Sequence, residues 1–536
     1  MFSSEAILQK WAEPFLLSWS IRRWVLSFCL GGLSALAFQP FGLVPVLLVT
    51  LPALVWTLDG ASAGTNKISK ERFLGFFSTG WWFSLGFFMA GLYWIGEAFL
   101  VEAETYAWMI PFAVTGVPAV ISLFPALALA LVSFFWSQRW ERILLLAVAL
   151  SLSDYARGHL FTGFPWNLWG YIFLVKPEFA QGAAIFGVYG LSLLAILLFT
   201  IPALLLGKSI GRQLMLVALM VLLFVGYGAA SYVRFFNHPT QFTKVDLLVV
   251  QPNVPQKEKW KPENRHKLLP RYIEQTEGAL AGGPTAGNTL IFWPESAFPY
   301  LLTSEPGALS SIDEMLKPGE TLITGAIRGE KTSQGRFFYN SVYTIEDGNG
   351  IRDVYDKVHL VPFGEYLPYR KLLQSMGVDK LVPAPADFSS GFRYRTMRAG
   401  ENLTMKPLIC YEAIFPYAAM SPAERPDFIA NITNDGWFGE TQGPYQHFAQ
   451  SQMRAIEQGV PIIRVANTGI SGVMDPVGRV LAKIALNDSG NIRIELPKLL
   501  QTTIYSVWGD LVFLGVILSI SGILLVIGVI NSTRKD

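Results

Sequence analysis

Through roughly the first 232 positions, long apolar runs are separated by short polar breaks, and beyond them the texture changes abruptly. A bilayer core of about 30 Å takes roughly 20 apolar helical residues to cross. Such runs recur at 24–38, 43–58, 73–99, 109–136, 143–152, 182–206 and 214–232. Each predicts a membrane-spanning helix, with the fifth short enough to be either longer and tilted or interfacial. From about 238 to 497, charged, polar and short apolar segments mix as in a water-soluble domain, and one more apolar run follows at 511–530. The pattern predicts a polytopic α-helical membrane domain of about eight transmembrane helices: seven within 1–237, and the last, with a short tail, within 498–536. A globular domain, 238–497, is threaded between the seventh and the eighth.

Inside that domain the hydrophobic period shortens. Apolar, β-rich runs at 245–250, 289–293, 321–326, 341–345, 405–410 and 462–466 predict strands, and helical patterns lie between several of them, at 263–281 and 447–458. Strands interleaved with helices predict a layered α/β domain. The chain has no repeat of fixed period and no low-complexity tract.

Composition agrees with the pattern. The 536 residues are 51% hydrophobic, with a mean hydropathy of +0.37, too apolar for a soluble protein of this length. Charged residues make up only 15% and nearly cancel, to a formal +2, so no basic field points to nucleic acid. Their placement carries more than their sum. Lys10, Arg22, Arg23, Lys67, Lys70, Arg72, Arg139, Arg142, Lys208, Arg212, Arg534 and Lys535 fall on one face of an eight-span topology. The opposite short loops hold Arg157 and Lys176 beside Glu97, Glu102 and Glu104. Basic residues are retained on the cytoplasmic side, which predicts cytoplasmic chain ends and a globular domain outside the cytoplasm. No small-residue cleavage site follows the first apolar run, which is read as a retained span.

Three short stretches place a reactive side chain at the end of an apolar strand: Glu295 in IFWPES, Lys357 in VYDKVHLVPFGE and Cys410 in KPLICYE. Strand ends are where layered α/β sheets expose functional groups. Each residue alone is more often structural. The two cysteines, Cys29 in an apolar run and Cys410 in the polar half, are too differently placed for a structural disulfide. The trio makes chemical sense. An ordinary Cys lies about 4 pKa units above an ordinary Glu, so direct proton transfer is uphill by ~6 kcal/mol. Burial beside Trp293, Pro294 and Phe298 would raise Glu295, and a Lys357 ammonium would stabilise the thiolate. Glu295 is then a general base, Cys410 a nucleophile, and Lys357 a fixed cation for the developing oxyanion.

In that order, Glu, Lys and Cys resemble the carbon-nitrogen hydrolase (nitrilase) superfamily. The likeness runs from VVQPNVPQ through NITNDGWFG to RVANTGISG. With the preceding spans, the FPWNLWGY stretch at 164–171 and HLVPFGEYLP after Lys357, nearly the whole chain is similar to the apolipoprotein N-acyltransferases. The resemblance implies an α-β-β-α sandwich for the globular domain and an inner-membrane enzyme whose catalytic domain is periplasmic. It implies a ping-pong reaction. The chain has no HExxH and no paired-Cys spacing, so no metal and no cofactor are expected. An acyl chain passes from a phospholipid, typically the sn-1 position of phosphatidylethanolamine, to Cys410 as a thioester. It then passes to the α-amine of a diacylglyceryl-modified N-terminal cysteine of an apolipoprotein. Four more residues match family positions: Glu365, to fix Lys357 or support the oxyanion; Tyr411 and Glu412, to shape the nucleophile turn; and Trp260, on an arm near the cleft. The protein is expected to act as a monomer.

His359 and His447 are alternative bases by residue type, but His359, two positions from Lys357 in an extended segment, points the other way. Asn431, Asn434 and Asp435, beside Gly436 and Gly439, are expected to build a turn rather than bind metal. Two other functions stay in view: a membrane-anchored nitrilase-type amidase, and a transporter whose large domain only binds ligand. Soluble superfamily members commonly carry Arg where this chain has Ile414, which favours a site handling lipid. Such a site is expected to open sideways to lipid, with Ile414, Phe415, Phe363 and Leu367 as candidate walls.

Overall fold

The computed structural model describes residues 4–206, 208–281, 288–333, 335–375, 387–420 and 424–533. Arg534 and Lys535, counted above among the basic flanks, lie outside them. The chain divides into two compact units. One comprises Met1–Gly96, Met109–Asn237 and Trp508–Asp536; the other comprises Glu97–Trp108 and His238–Val507.

The first unit is helical. Among the described residues six helices are long and apolar enough to cross a membrane: Val44–Ser62, Lys70–Leu100, Ala103–Val132, Ala183–Leu205, Ile210–Asn237 and Leu511–Gly528. The remaining two apolar runs are also helical but differ in kind. Ser20–Ser34 has only 15 residues, and Glu141–His159 carries Glu141, Arg142, Asp154 and Arg157 among its buried residues. Three of these charges, Arg142, Asp154 and Arg157, are paired internally, which makes them tolerable there. Arg157 donates to Asp154 at 2.9 Å, and Arg142 lies 3.3 Å from an Asp59 oxygen whose partner oxygen accepts from Trp136 Nε1 at 2.9 Å. Small residues let helices touch backbone to backbone. A Cβ on Gly31 would lie 1.7 Å from the Phe83 carbonyl oxygen, and one on Gly86 would lie 2.0 Å from that of Phe28. The 164–171 stretch buries Trp166, Leu168 and Trp169, and Arg157 Nη1 holds its turn by donating to the carbonyl oxygens of Phe164 and Trp166.

The second unit contains two six-stranded sheets. In chain order the strands are β1 Phe242–Gln251, β2 Asn288–Phe292, β3 Glu320–Thr332, β4 Gly335–Glu346, β5 Gly350–Asp356, β6 Met397–Arg398, β7 Thr404–Ile409, β8 Phe428–Thr433, β9 Ile462–Ala466, β10 Ser471–Met474, β11 Val480–Ile484 and β12 Gly490–Pro497. One sheet runs β12-β1-β2-β3-β4-β5 and the other β11-β10-β9-β8-β7-β6. Alternation along β1 explains the layering. Leu247 and Val249 face the second sheet, in a core with Phe292, Ile323, Ile409, Ile432 and Val465. Leu248 and Val250 face the helices Leu268–Leu280 and Pro306–Met315, with Tyr272, Trp293 and Ile312. The helix Gly443–Gln458 covers the second sheet against β9. The result is a four-layer α-β-β-α sandwich with every residue of β8 and β9 buried.

Candidate active site

Glu295 follows β2, Lys357 follows β5 and Cys410 follows β7, and all three are buried. Beneath Glu295, Trp293 is fully enclosed, 4.9 Å from the Tyr272 ring and with Nε1 donating to Thr276 Oγ1 at 3.0 Å. The turn that presents Glu295 lies against β3 so closely that only glycine fits there. A Cβ on Gly325 would sit 2.6 Å from Glu295 Cα and 2.9 Å from the Pro294 carbonyl oxygen. These are backbone atoms and cannot swing aside. Gly325→Ala is expected to destabilise the protein by about 1–3 kcal/mol, read as a lowered melting temperature. An unchanged melt would mean that the turn and β3 part without cost.

One amide joins two carboxylates. Asn340 Nδ2, on β4, donates to Glu295 Oε1 at 2.7 Å and to Glu365 Oε1 at 2.8 Å. An amide nitrogen has two hydrogens, one for each acid, which fixes its orientation. Glu365 Oε1 also pairs with Lys357 Nζ at 2.9 Å, and its Oε2 accepts from the Val361 amide at 2.8 Å. The backbone reinforces the arrangement, because Lys357 N donates to the Asn340 carbonyl at 2.8 Å. Glu365 is thus in direct contact with Lys357.

A second lysine stands on the other side. Lys259 Nζ, fully buried at the end of the short helix Gln256–Lys259, donates to the Glu295 carbonyl at 3.0 Å. Trp260, half-buried, is the next residue, at the end of that helix. Neither Asn340 nor Lys259 stood out in the sequence. Their partners lie 45 and 36 positions away, and no local pattern marks them.

Cys410 opens the short turn Cys410–Ile414 with a φ of +49°, a left-handed conformation that side chains disfavour. Glu412 ties this turn to the lysine segment. Its Oε2 accepts from the Ile409 amide at 2.8 Å, while Oε1 accepts from the amides of Val358 and His359 and from the Tyr355 hydroxyl, at 2.8, 3.1 and 3.1 Å. Tyr411 is buried with its ring 5.1 Å from that of Phe415. Ile414 and Phe415 have no exposed surface, which makes them domain core rather than walls of a cleft; Leu367 is also buried, whereas Phe363 is exposed. His359 stacks on Phe415 at 4.0 Å and meets the Tyr417 hydroxyl through Nδ1 at 3.2 Å. Asn434 and Asp435 do form a turn, in which the Asn434 side chain accepts from the Gly436 amide. The turn reading was nevertheless incomplete for Asp435, which is wholly buried between Arg464 and His447, at 2.6 and 2.9 Å. Among the described residues no group of three or more His, Cys, Asp or Glu side chains is gathered to hold a metal ion.

Burial sets the charges. It pushes the Glu295 carboxyl up, against the pull of Lys357, Asn340 and Lys259 and with the push of Glu365. It also pushes the Cys410 thiol up, reinforced by Glu295 and opposed by Lys357. Burial alone would lower the Lys357 ammonium, but Glu365, Glu295 and Cys410 outweigh it and hold it above the usual lysine value. Lys259 is lowered by burial to about 8, with Glu295 partly offsetting. The resting site is therefore a neutral thiol beside a fixed cation and a carboxyl of raised proton affinity. Such a set suits attack in which the thiol loses its proton as the new bond forms.

The N-terminal domain model of apolipoprotein N-acyltransferase matches residues 30–201, and the carbon-nitrogen hydrolase model matches residues 249–505. An apolipoprotein N-acyltransferase of Rhodopseudomonas palustris is 40% identical over 513 residues, covering 94% of this chain and 95% of that protein. One of Bradyrhizobium diazoefficiens is 40% identical over 528 residues, covering 96% and 97%. One of Brucella suis is 40% identical over 479 residues, covering 89% and 90%. Among solved structures, a nitrilase-superfamily protein of Saccharomyces cerevisiae is matched over 48% of this chain and 91% of that one, at 18% identity and a TM-score of 0.36.

Proposed function

This chain belongs to the apolipoprotein N-acyltransferase family, and from that premise we propose that it N-acylates lipoproteins through a thioester on Cys410, with Glu295 as base and Lys357 as oxyanion partner. The observation that carries the reading is the hydrogen-bonded chain Glu295–Asn340–Glu365–Lys357 beside a buried cysteine held at positive φ.

In the first half-reaction Cys410 Sγ attacks the sn-1 ester carbonyl of a phospholipid, with phosphatidylethanolamine as the proposed donor. The thiol proton passes to Glu295 Oε2. The other oxygen, Oε1, is occupied by Asn340. Negative charge gathers on the former carbonyl oxygen, where the Lys357 ammonium stabilises it more than it stabilises the neutral ester. The C–O bond breaks, Glu295 returns the proton to the departing alkoxide, and a lysophospholipid leaves. In the second half-reaction the α-amine of a diacylglyceryl-cysteine attacks the thioester. Glu295 takes the amine proton, the thiolate leaves, and the proton returns to sulfur. Glu365 and Glu412 hold Lys357 and the nucleophile turn in register, Tyr411 packs behind the turn, and Trp260 contacts substrate beside the base. The enzyme is proposed to act as a monomer. The run of basic residues on one face of the spans supports an inner-membrane enzyme with 238–497 as its periplasmic domain.

Purified protein incubated with phospholipid labelled in its sn-1 chain should acquire a hydroxylamine-sensitive label that maps to the Cys410 peptide. Lysophospholipid release without protein label would sink the thioester. A pH effect follows from the second lysine. Glu295 must be ionised to act, and its raised proton affinity means that activity falls as pH drops through that raised value. Lys259 lowers Glu295, so Lys259→Met should move this acid limb of thioester formation to higher pH. A limb left in place would show that the Lys259 charge does not reach the base.

A further inference from the structure

We infer that His447 is a positioning residue, which holds the nucleophile's strained turn by donating from Nε2 to the carbonyl oxygen of Cys410; the inference rests on Cys410 being the nucleophile. His447 lies on the Gly443–Gln458 helix with no exposed surface, and its Nε2 is 3.0 Å from that oxygen. Behind it runs a buried charged array. Nδ1 is 2.9 Å from Asp435 Oδ1, Asp435 Oδ2 accepts from Arg464 Nη2 at 2.6 Å, and Arg464 Nη1 donates to Ser451 Oγ at 3.0 Å and to Asn431 Oδ1. Thr433 Oγ1 donates to Asp435 Oδ1 at 3.1 Å, and the Phe438 ring packs edge-on against the imidazole.

A carbonyl oxygen only accepts, so Nε2 carries a hydrogen in either charge state of the ring. The rest of the ring can adjust without disturbing that bond. A neutral imidazole accepts at Nδ1 from Arg464 Nη2, 3.1 Å away, whereas a charged one donates to Asp435. Either way the nitrogen that faces Cys410 is engaged by a peptide oxygen, which excludes His447 as the base for the thiol. What it controls is the backbone. Cys410 departs from β7 at a φ of +49°, and such a conformation persists only where the surroundings over-determine it. Before the turn, the Ile409 amide is held by Glu412; after Cys410, its carbonyl is held by His447. With the second clamp released, the peptide plane is free to rotate toward negative φ and carry Sγ away from Glu295 and Lys357.

The test is single-turnover thioester formation by full-length, detergent-solubilised protein with phosphatidylethanolamine in mixed micelles. His447→Leu removes the donor; His447→Gln keeps an N–H able to reach the same oxygen; His447→Asn keeps an amide too short to reach it. Misplacing a reacting atom costs roughly 10-fold to 100-fold. Leu and Asn should show that loss in rate, with KM for the phospholipid and the acid pH limb unmoved and with slower alkylation of Cys410 by iodoacetamide. Gln should recover most of the rate. Should the Leu variant fail to fold, the comparison of Gln with Asn decides. The inference is overturned if the variants lacking the donor form thioester at the wild-type rate, if Gln is no better than Asn, or if the loss takes the form of a shifted pH limb. Absence of any thioester on wild-type Cys410 would instead sink the nucleophile assignment.

Discussion

Cys410→Ala is expected to abolish both half-reactions while leaving a folded protein. The sulfur takes part in both half-reactions of the proposed scheme, forming the acyl C–S bond in the first and losing it in the second, and among the described residues neither nearby histidine is placed to replace it. His359 stacks on Phe415 and His447 is bound to a peptide oxygen. Without the nucleophile the ester faces only water, and removing a catalytic nucleophile of this type costs on the order of 10⁶-fold. Stability should hardly change. The substitution removes a single sulfur from a buried site, and the turn is clamped through backbone groups at Ile409 and Cys410 that alanine retains. Labelled phospholipid should leave no protein-bound acyl chain, and the melting temperature should stay near wild type. Residual acyl transfer to the lipoprotein amine above background would require a direct, non-covalent route and would end the ping-pong reading.

Lys357→Met should cost less than the nucleophile but more than any other single charge. The ammonium is 1% exposed and bonded to Glu365 at 2.9 Å. Methionine preserves most of its length while removing the charge. Losing one preorganised donor to an oxyanion costs on the order of 100-fold to 1000-fold in rate, and this donor also stabilises the ionised Cys410 and Glu295. Breaking one side of a buried ion pair costs about 3–5 kcal/mol of stability. Glu365 retains Asn340 and the Val361 amide, which places the loss toward the lower end. Rates of thioester formation and a thermal melt, measured together, separate the two effects. A variant that melts early yet acylates Cys410 at the wild-type rate would confine Lys357 to the scaffold.

The amino-acid sequence by itself determined the elements whose cause is local. Apolar runs long enough to span a bilayer became helices, and the six that meet both length and composition criteria need no partner to be recognised. The runs at 24–38 and 143–152 mark the limit. The first covers 15 positions, as many as the helix Ser20–Ser34, but lies four residues further along the chain; the second is shorter than the 19-residue helix Glu141–His159, because charged residues near both helix ends interrupt the apolar signal. Alternation and β-branched content announced β1, β2, β3, β4, β7 and β9, and the strand ends announced Glu295 and Cys410. Motif order along the chain also carried the family.

Only the tertiary structure decided which groups face one another. The order of the sheets sets Asn340 between two acids that lie 45 and 25 positions away from it. It joins Glu412 to the Val358 amide across 54 positions and brings His447 beneath the Cys410 carbonyl across 37. It also sets Asp435, within its turn, in a buried ion pair with Arg464. Hydrophobic periodicity reports what a segment buries, because that depends on neighbours three or four residues away. A hydrogen bond between side chains depends on where two distant backbones are pinned, and here that is set by sheet pairing and by a single glycine, Gly325, that lets the Glu295 turn close on β3.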